Sequence, residues 1–499
     1  MDRINNSGKN WWYTILLLLV FAAGLGIRLF DLDNPPLDFH PARQFHSAIL
    51  ARGFYTQMQP NLPDFERSRY LAEGLSELWI EPPILEGLTA LTCRLVGGDI
   101  FWIARFYSIM AWLIGGFGLY LLAKRVSGKG GAFFSLLFYL FLPYGITASR
   151  SFQPDPLMVC LTIWAVWALA TWTRETGWQK TITTGLLMGV AILVKQVAVF
   201  FLLGALIARV LSIRDLKKTF TDRKIWLMIS MVFLPVLLYN FWGVYLDGFL
   251  IQQYGGRLYP EFWQDLGFYL RWLVEIDDTV GFYSLIVGLV GIILLWDHRD
   301  RNIIIGYFCG YIVYGFVFAH HISTHNYYQL PLIPFITLAI APLADIVVRR
   351  VLEIKPRRWF ILFFILILMG VSFTLWRVET RMKRENFRAE PAKWSQLGKK
   401  MGYENSNVMG LFNDYGVSLM YWGLTTPVVW PNSSDQEMTN FKVDVGKIMD
   451  QLSGKYYFIV TDFVDFDKQV LLKQTLVDNY PVLEKGDGYL IFDLREPIK

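Results

Sequence analysis

The sequence predicts an all-α polytopic membrane protein of about 11 transmembrane helices, with outer amphipathic helices and a small C-terminal α/β extracytoplasmic domain. Three observations predict it. The 499 residues are 54% hydrophobic, 16% aromatic and only 18% charged, which excludes an ordinary soluble globular chain. Continuous apolar runs recur near the roughly 20 residues needed to cross a hydrocarbon core of about 30 Å. Lys and Arg collect in alternate loops, as the positive-inside rule requires. The runs lack the alternation of a β-barrel strand.

The runs start near residues 11, 99, 131, 156, 181, 197, 225, 279, 303, 327 and 359. The first, WWYTILLLLVFAAGLGIRL, is too long for a signal-peptide core and has no small-residue cleavage site, so it reads as an uncleaved start-transfer helix. Cytoplasmic loops carry Lys124, Arg125 and Lys129; Arg174 and Lys180; Arg214, Lys217, Lys218, Arg223 and Lys224; Arg299 and Arg301; and Arg349, Arg350, Lys355, Arg357 and Arg358. The N-terminus is then cytoplasmic, and residues 30–98 and 377–499 lie outside. Residues 181–210 test this topology. As one helix they would reverse every later loop, so they are expected to form a hairpin of two short spans with Lys195 at an outer turn.

The outer segments are not linkers. Residues 60–95 and 244–277 mix polar and apolar residues as interfacial amphipathic helices do. Two domains are expected: a transmembrane domain over 1–376 and an α/β domain over 377–499. In the latter, KYYFIVTDF and GYLIFDL read as strands, and PAKWSQLGKKM and KVDVGKIMDQL as helices. Cys93, Cys160 and Cys309 sit in or beside apolar runs, without a disulfide framework or C-x-x-C metal motif. The net charge of +5 follows the membrane pattern and implies no nucleic-acid partner.

Chemistry is expected first in the loop after the first run, which gathers Asp38, His40, Arg43, His46 and Arg52. Asp38 follows Asn-Pro-Pro, whose prolines fix an extended exit from the membrane. A carboxylate there can serve as general base on an acceptor hydroxyl; it can equally cap a helix starting near Pro41. Asp31 and Asp33 form a D-x-D, read as capping or solvated and not as metal ligands. Arg150 and Asp155 lie in a short turn stiffened by Pro154 and Pro156. They can line a cavity with Arg150 open to a phosphate, or pair with each other and only fix the turn. Lys195 can meet a lipid phosphate or snorkel. His320, His321, His325, Tyr327 and Tyr328 share one outer turn. The histidine spacing matches no standard zinc set, so metal is not expected, and hydrogen bonding to sugar or phosphate, or an aromatic belt, remains.

The ordered set of these motifs resembles the GT-C fold glycosyltransferases that use polyprenyl-phosphate sugars, above all the protein O-mannosyltransferases and the bacterial aminoarabinose transferases. The residues that carry the resemblance are Asp38, the EPPIL element (Glu81, Pro82, Pro83), GGDIFWIARFYS with Arg105, Arg150 with Asp155, ILVKQ with Lys195, and His325 through Pro334. Together they cover roughly residues 11–345. Two positions depart from the family pattern. The usual D-E pair is Asp38-Phe39, and the lysine of E-K-P-P is missing.

The resemblance implies an inverting, one-step displacement with a sugar on a polyprenyl monophosphate as donor. Asp38 alone would be the base. Some of Arg43, Arg52, Arg150, Lys195 and Arg257 would bind the phosphate, with Asp155, His325, Tyr327 and Tyr328 completing the site. No cofactor or metal is implied, the lipid-linked sugar being a substrate. The acceptor would be a lipid, glycan or protein hydroxyl, and the location a bacterial inner membrane. The main alternative is a transporter or flippase for a lipid-linked saccharide, which internal inverted repeats would favour and which this sequence does not display. A transferase using a diphosphate-linked donor would want more acidic metal ligands than the chain supplies.

Overall fold

A computed structural model describes residues 7–97, 100–213, 216–251, 258–295, 298–438 and 443–498. Contacts divide the chain into two compact units. The first comprises residues 1–32, 78–85 and 102–384, and the second residues 33–77, 86–101 and 385–499.

The first unit is helical. Each of the eleven expected runs is a helix, but their lengths differ. Among the described residues five helices are long and apolar enough to cross a membrane: Trp11–Leu29, Ile100–Val126, Arg223–Leu246, Leu332–Glu353 and Arg358–Arg384. Leu266–Val280 and Phe282–Leu294 make a sixth if counted together, although they meet at 87° about Gly281. The remaining five apolar helices have 13–17 residues, short of the roughly 20 in a straight span. The count of about 11 therefore describes apolar helices, and the length criterion reduces it to five or six. A chain with these helices is an integral, multi-pass membrane protein.

The 181–210 segment does break. Trp178–Val194 ends at Lys195, whose backbone is extended at φ −152° and ψ 115°, and Ala198–Ile213 begins three residues later. Each half packs on its own partner through glycines, as expected where apolar helices gain little by exclusion from lipid and must gain by close approach. Gly185 and Gly189 face Met228 and Met231 of Arg223–Phe241, and Gly204 faces Gly306 of Arg301–Val317.

The second unit is built on a five-stranded sheet of β1 (Val408–Leu411), β2 (Val428–Val429), β3 (Tyr457–Val460), β4 (Val482–Gly486) and β5 (Tyr489–Asp493). Its order is β2-β1-β3-β5-β4. The first three strands are parallel, whereas β5 runs antiparallel to both β3 and β4. β1 and β3 are buried along their whole length, and helices Val445–Leu452 and Val470–Asn479 cover one face through Ile448, Leu452, Leu472 and Leu476. Glu390–Lys400 packs Trp394 and Leu397 on the opposite face.

The C-terminal stretch of the second unit starts at Glu385 and contains the four elements expected from sequence, which placed the start of this domain after residue 376. That point falls inside the helix Arg358–Arg384, and the sheet unit recruits the first loop. Asn34 donates to the Glu385 carbonyl at 2.6 Å and accepts from the Phe387 amide at 2.9 Å, while Arg388 pairs with Asp33 at 3.0 Å. Phe45 sits against Tyr421 and Trp422, at 5.4 and 4.9 Å between ring centroids.

Candidate functional site

Within the first unit the polar centre lies where the short helices end. Lys195 reaches both carboxylate oxygens of Asp155 at 2.8 Å, and both residues are buried. The geometry follows from the chain. Pro156 in the first turn starts the helix Asp155–Thr171, so its carboxylate stands at the N-terminal end, and the extended Lys195 projects from the break opposite. The Lys195 ammonium lies 5.1 Å from the Tyr327 ring centroid and 5.7 Å from that of Tyr328, within cation–π range. Tyr144 donates its hydroxyl to Asn326 Oδ1 at 2.8 Å, which fixes the turn carrying these tyrosines.

Sequence reasoning passed over Tyr144 and Asn326. The available signal was a hydroxyl-bearing aromatic and an amide at the ends of apolar runs, where polar side chains need partners.

Arg150 does not form the expected pair with Asp155. It is buried and donates to the Asp31 carbonyl at 2.9 Å and to Met382 Sδ at 2.8 Å, because Asp155 is taken by Lys195. The guanidinium thus ties the end of the first helix to the helix Arg358–Arg384. Arg105 performs a similar task on the Leu32 carbonyl at 3.0 Å.

The three histidine rings cluster with centroids 5.3–6.5 Å apart, and His325 Nδ1 is 2.8 Å from Thr324 Oγ1. Burial, reinforced by the Arg271 charge, holds His320 below the usual imidazole range, so at neutral pH it is an uncharged hydrogen-bonding group. Among the described residues no three His, Cys, Asp or Glu side chains converge as a metal site.

An apolar groove of about 590 Å³ runs along Ala198–Ile213 and Arg301–Val317, lined by Phe200, Leu203, Ile207, Leu211, Ile305 and Val313. It exists because Gly204 and Gly306 bring the two backbones together and leave their flanking side chains splayed. Phe200 connects it to the polar centre. Its ring is 5.8 Å from Tyr314, which stacks on Tyr328 at 6.1 Å.

In the second unit, Asp38 is half-buried on a turn braced by Gln44, whose amide donates to the Pro36 and Phe39 carbonyls at 3.2 and 2.6 Å. The helix Pro41–Gln57 starts at His40, a left-handed residue that makes no side-chain cap. Arg43 is half-buried in the first turn of that helix.

Arg52 is an internal tie. It bonds Glu73 at 2.6 Å and the Tyr421 carbonyl at 2.5 Å, sandwiched between Tyr70 and Tyr421 at 4.3 and 3.8 Å. Burial pushes the Glu73 carboxyl up to about 7 despite this partner. His46 is likewise held by Glu77 at 2.7 Å. Arg257 lies outside the described residues.

The sequence model of the dolichyl-phosphate-mannose-protein mannosyltransferase family matches residues 81–242. No curated protein matches the chain. Among solved structures, ArnT from Cupriavidus metallidurans in the apo state is 15% identical, with a TM-score of 0.59 over 96% of this chain and 98% of that one. The same protein bound to undecaprenyl phosphate is 14% identical, with TM-score 0.59 and the same coverage. The archaeal oligosaccharyltransferase AglB from Archaeoglobus fulgidus, in complex with an inhibitory peptide and a dolichol-phosphate, is 11% identical, with TM-score 0.54 over 95% of this chain and 73% of that one. Identities this low speak for the fold: the chain has the GT-C fold of these proteins, and the match to the family model lies within it.

Proposed function

We propose that the protein is an inverting glycosyltransferase that moves a sugar from a polyprenyl-phosphate donor to an acceptor hydroxyl on the extracytoplasmic side of the membrane. The observation that carries this reading is the buried Lys195 beneath Tyr327 and Tyr328, joined through Tyr314 and Phe200 to an apolar groove. A prenyl chain suits the groove, and the Lys195 ammonium, held in place by Asp155, suits a phosphate that approaches from the tyrosine side. ArnT with undecaprenyl phosphate and AglB with a dolichol-phosphate, both of this fold, support the same donor class.

In the reaction the acceptor oxygen attacks C1 of the sugar as its proton passes to Asp38. The bond from C1 to the phosphate oxygen breaks, and polyprenyl phosphate departs with its new negative charge balanced by Lys195. One displacement inverts C1. Asp38 is half-buried on a turn that Gln44 braces, which restricts the motion of its carboxylate.

Asp38→Asn tests the assignment. The variant is expected to bind undecaprenyl phosphate as the parent does while losing transfer by about 10²–10⁴-fold, in line with removal of a positioned base. Transfer at parental rate would remove Asp38 from the role. The sugar and acceptor are then read from the envelope glycans and polyprenyl lipids that change in a deletion strain.

A further inference from the structure

The sheet unit carries a polar rim that the proposed transfer does not use. Its parallel strands stand in the order β2-β1-β3, so the chain leaves β1 toward one side and returns to its other side. Open α/β sheets bind ligands outside the carboxyl ends of their strands at such a reversal, because the two connections diverge to opposite faces and leave a crevice.

Here the three loops at that end are tied to one another. Asn413, after β1, accepts from Thr461 after β3 at 2.6 Å. Asn432, after β2, donates to the Tyr415 hydroxyl at 3.2 Å. Asp465, after β3, accepts from the Ser433 amide at 3.0 Å. Tyr415 is a non-glycine residue at φ 58°, and it is 46% exposed although its hydroxyl is fixed. Phe463, the first residue of the short helix that follows β3, is exposed.

The chemistry of this rim selects its ligand. Residues 412–416, 430–436 and 461–466 contain no Lys or Arg, while Asp414, Asp435, Asp462 and Asp465 are all there. Anions are repelled, so phosphates and nucleotides do not fit. What remains is an immobilised aromatic face, an exposed Asn413 whose side-chain nitrogen bonds none of the described residues, and Asp462, which spends one carboxylate oxygen on the Asp465 amide. Aromatic faces pack on the C–H face of a sugar ring, and planar amides and carboxylates bridge adjacent hydroxyls.

We infer that this end of the sheet is a saccharide-binding site for uncharged or amino sugars. Coupled to the proposed transfer, it would hold the sugar-bearing part of an acceptor; the binding itself is independent of that reading.

Saturation-transfer difference NMR on the full-length protein in detergent tests it, with maltotriose and chitotriose as probes and inorganic phosphate as competitor. Transfer to at least one trisaccharide is expected, unaffected by phosphate. Tyr415→Ala and Asn413→Ala are expected to weaken it at least tenfold, and Tyr415→Phe, which keeps the ring, to retain it. Asp38→Asn is expected to keep the saccharide signal, so failure of the transfer reading and failure of this one are separable. Absence of signal from both trisaccharides, competition by phosphate, or equal signals in Asn413→Ala and the parent would overturn the inference.

Discussion

Replacing Lys195 by methionine removes the counter-charge of Asp155 and leaves a buried carboxylate facing an apolar chain. At 2.8 Å the Coulomb attraction is about 6 kcal/mol for an effective dielectric near 20. Desolvation of both ions offsets most of this, so the pair as a whole contributes little against apolar residues of similar volume. Removing one partner is different, since the other's desolvation remains uncompensated, at about 3–5 kcal/mol. With roughly 2–4 °C per kcal/mol for a large domain, Lys195→Met should lower the melting temperature by about 6–20 °C. The double variant Lys195→Met/Asp155→Leu should return to within a few degrees of the parent. Tryptophan fluorescence melts in detergent on the parent, both single variants and the double close the cycle. Activity supplies the second readout, because the double variant should be stable yet unable to transfer sugar. A double variant as unstable as the sum of the singles would refute the pairing. A stable double variant with parental turnover would refute Lys195 as the phosphate's counter-charge.

Two further outcomes follow from packing and burial. A Cβ at Gly204 would lie 2.1 Å from the Gly306 carbonyl oxygen, so Gly204→Ala should part the two helices and cost about 1–3 kcal/mol, whereas Gly26→Ala, with nothing within 4 Å, should be neutral or slightly stabilising in the same melt. The raised Glu73 carboxyl means that folding takes up a proton. Its contribution is full below the unfolded value near 4.5 and is lost as pH climbs toward about 7, by roughly 3 kcal/mol in all. Glu73→Gln should remove that part of the slope from stability measured between pH 4.5 and 8, and an unchanged slope would count against Glu73 as its source.

Much of the architecture was legible in one dimension because the membrane imposes a one-dimensional rule. Backbone groups in hydrocarbon must be satisfied within their own helix, so long apolar runs can only be helices, and each expected run is one. The break at Lys195 was readable for the same reason, since a charge parity error would otherwise propagate along the chain. The candidate residues were less legible. Arg52, Arg150 and Lys195 look alike in sequence as cations beside apolar runs. Only the fold distinguishes Arg52 clamped by Glu73 and two tyrosines, Arg150 turned to the Asp31 carbonyl, and Lys195 set on Asp155 beneath an aromatic pair.

The sequence by itself determined that this chain enters the bilayer, where its helices begin and break, and that an α/β element follows them. Helical periodicity and hydropathy are local properties, and each is complete within about 20 residues. Partnership is not local. Which aspartate receives which cation, and that residues 33–77 fold onto a sheet made more than 300 residues later, depend on side chains meeting across the chain. The tertiary structure decided those matters because a buried charge or amide takes whichever complementary group packing brings within 3 Å, and no spacing in the sequence records that encounter.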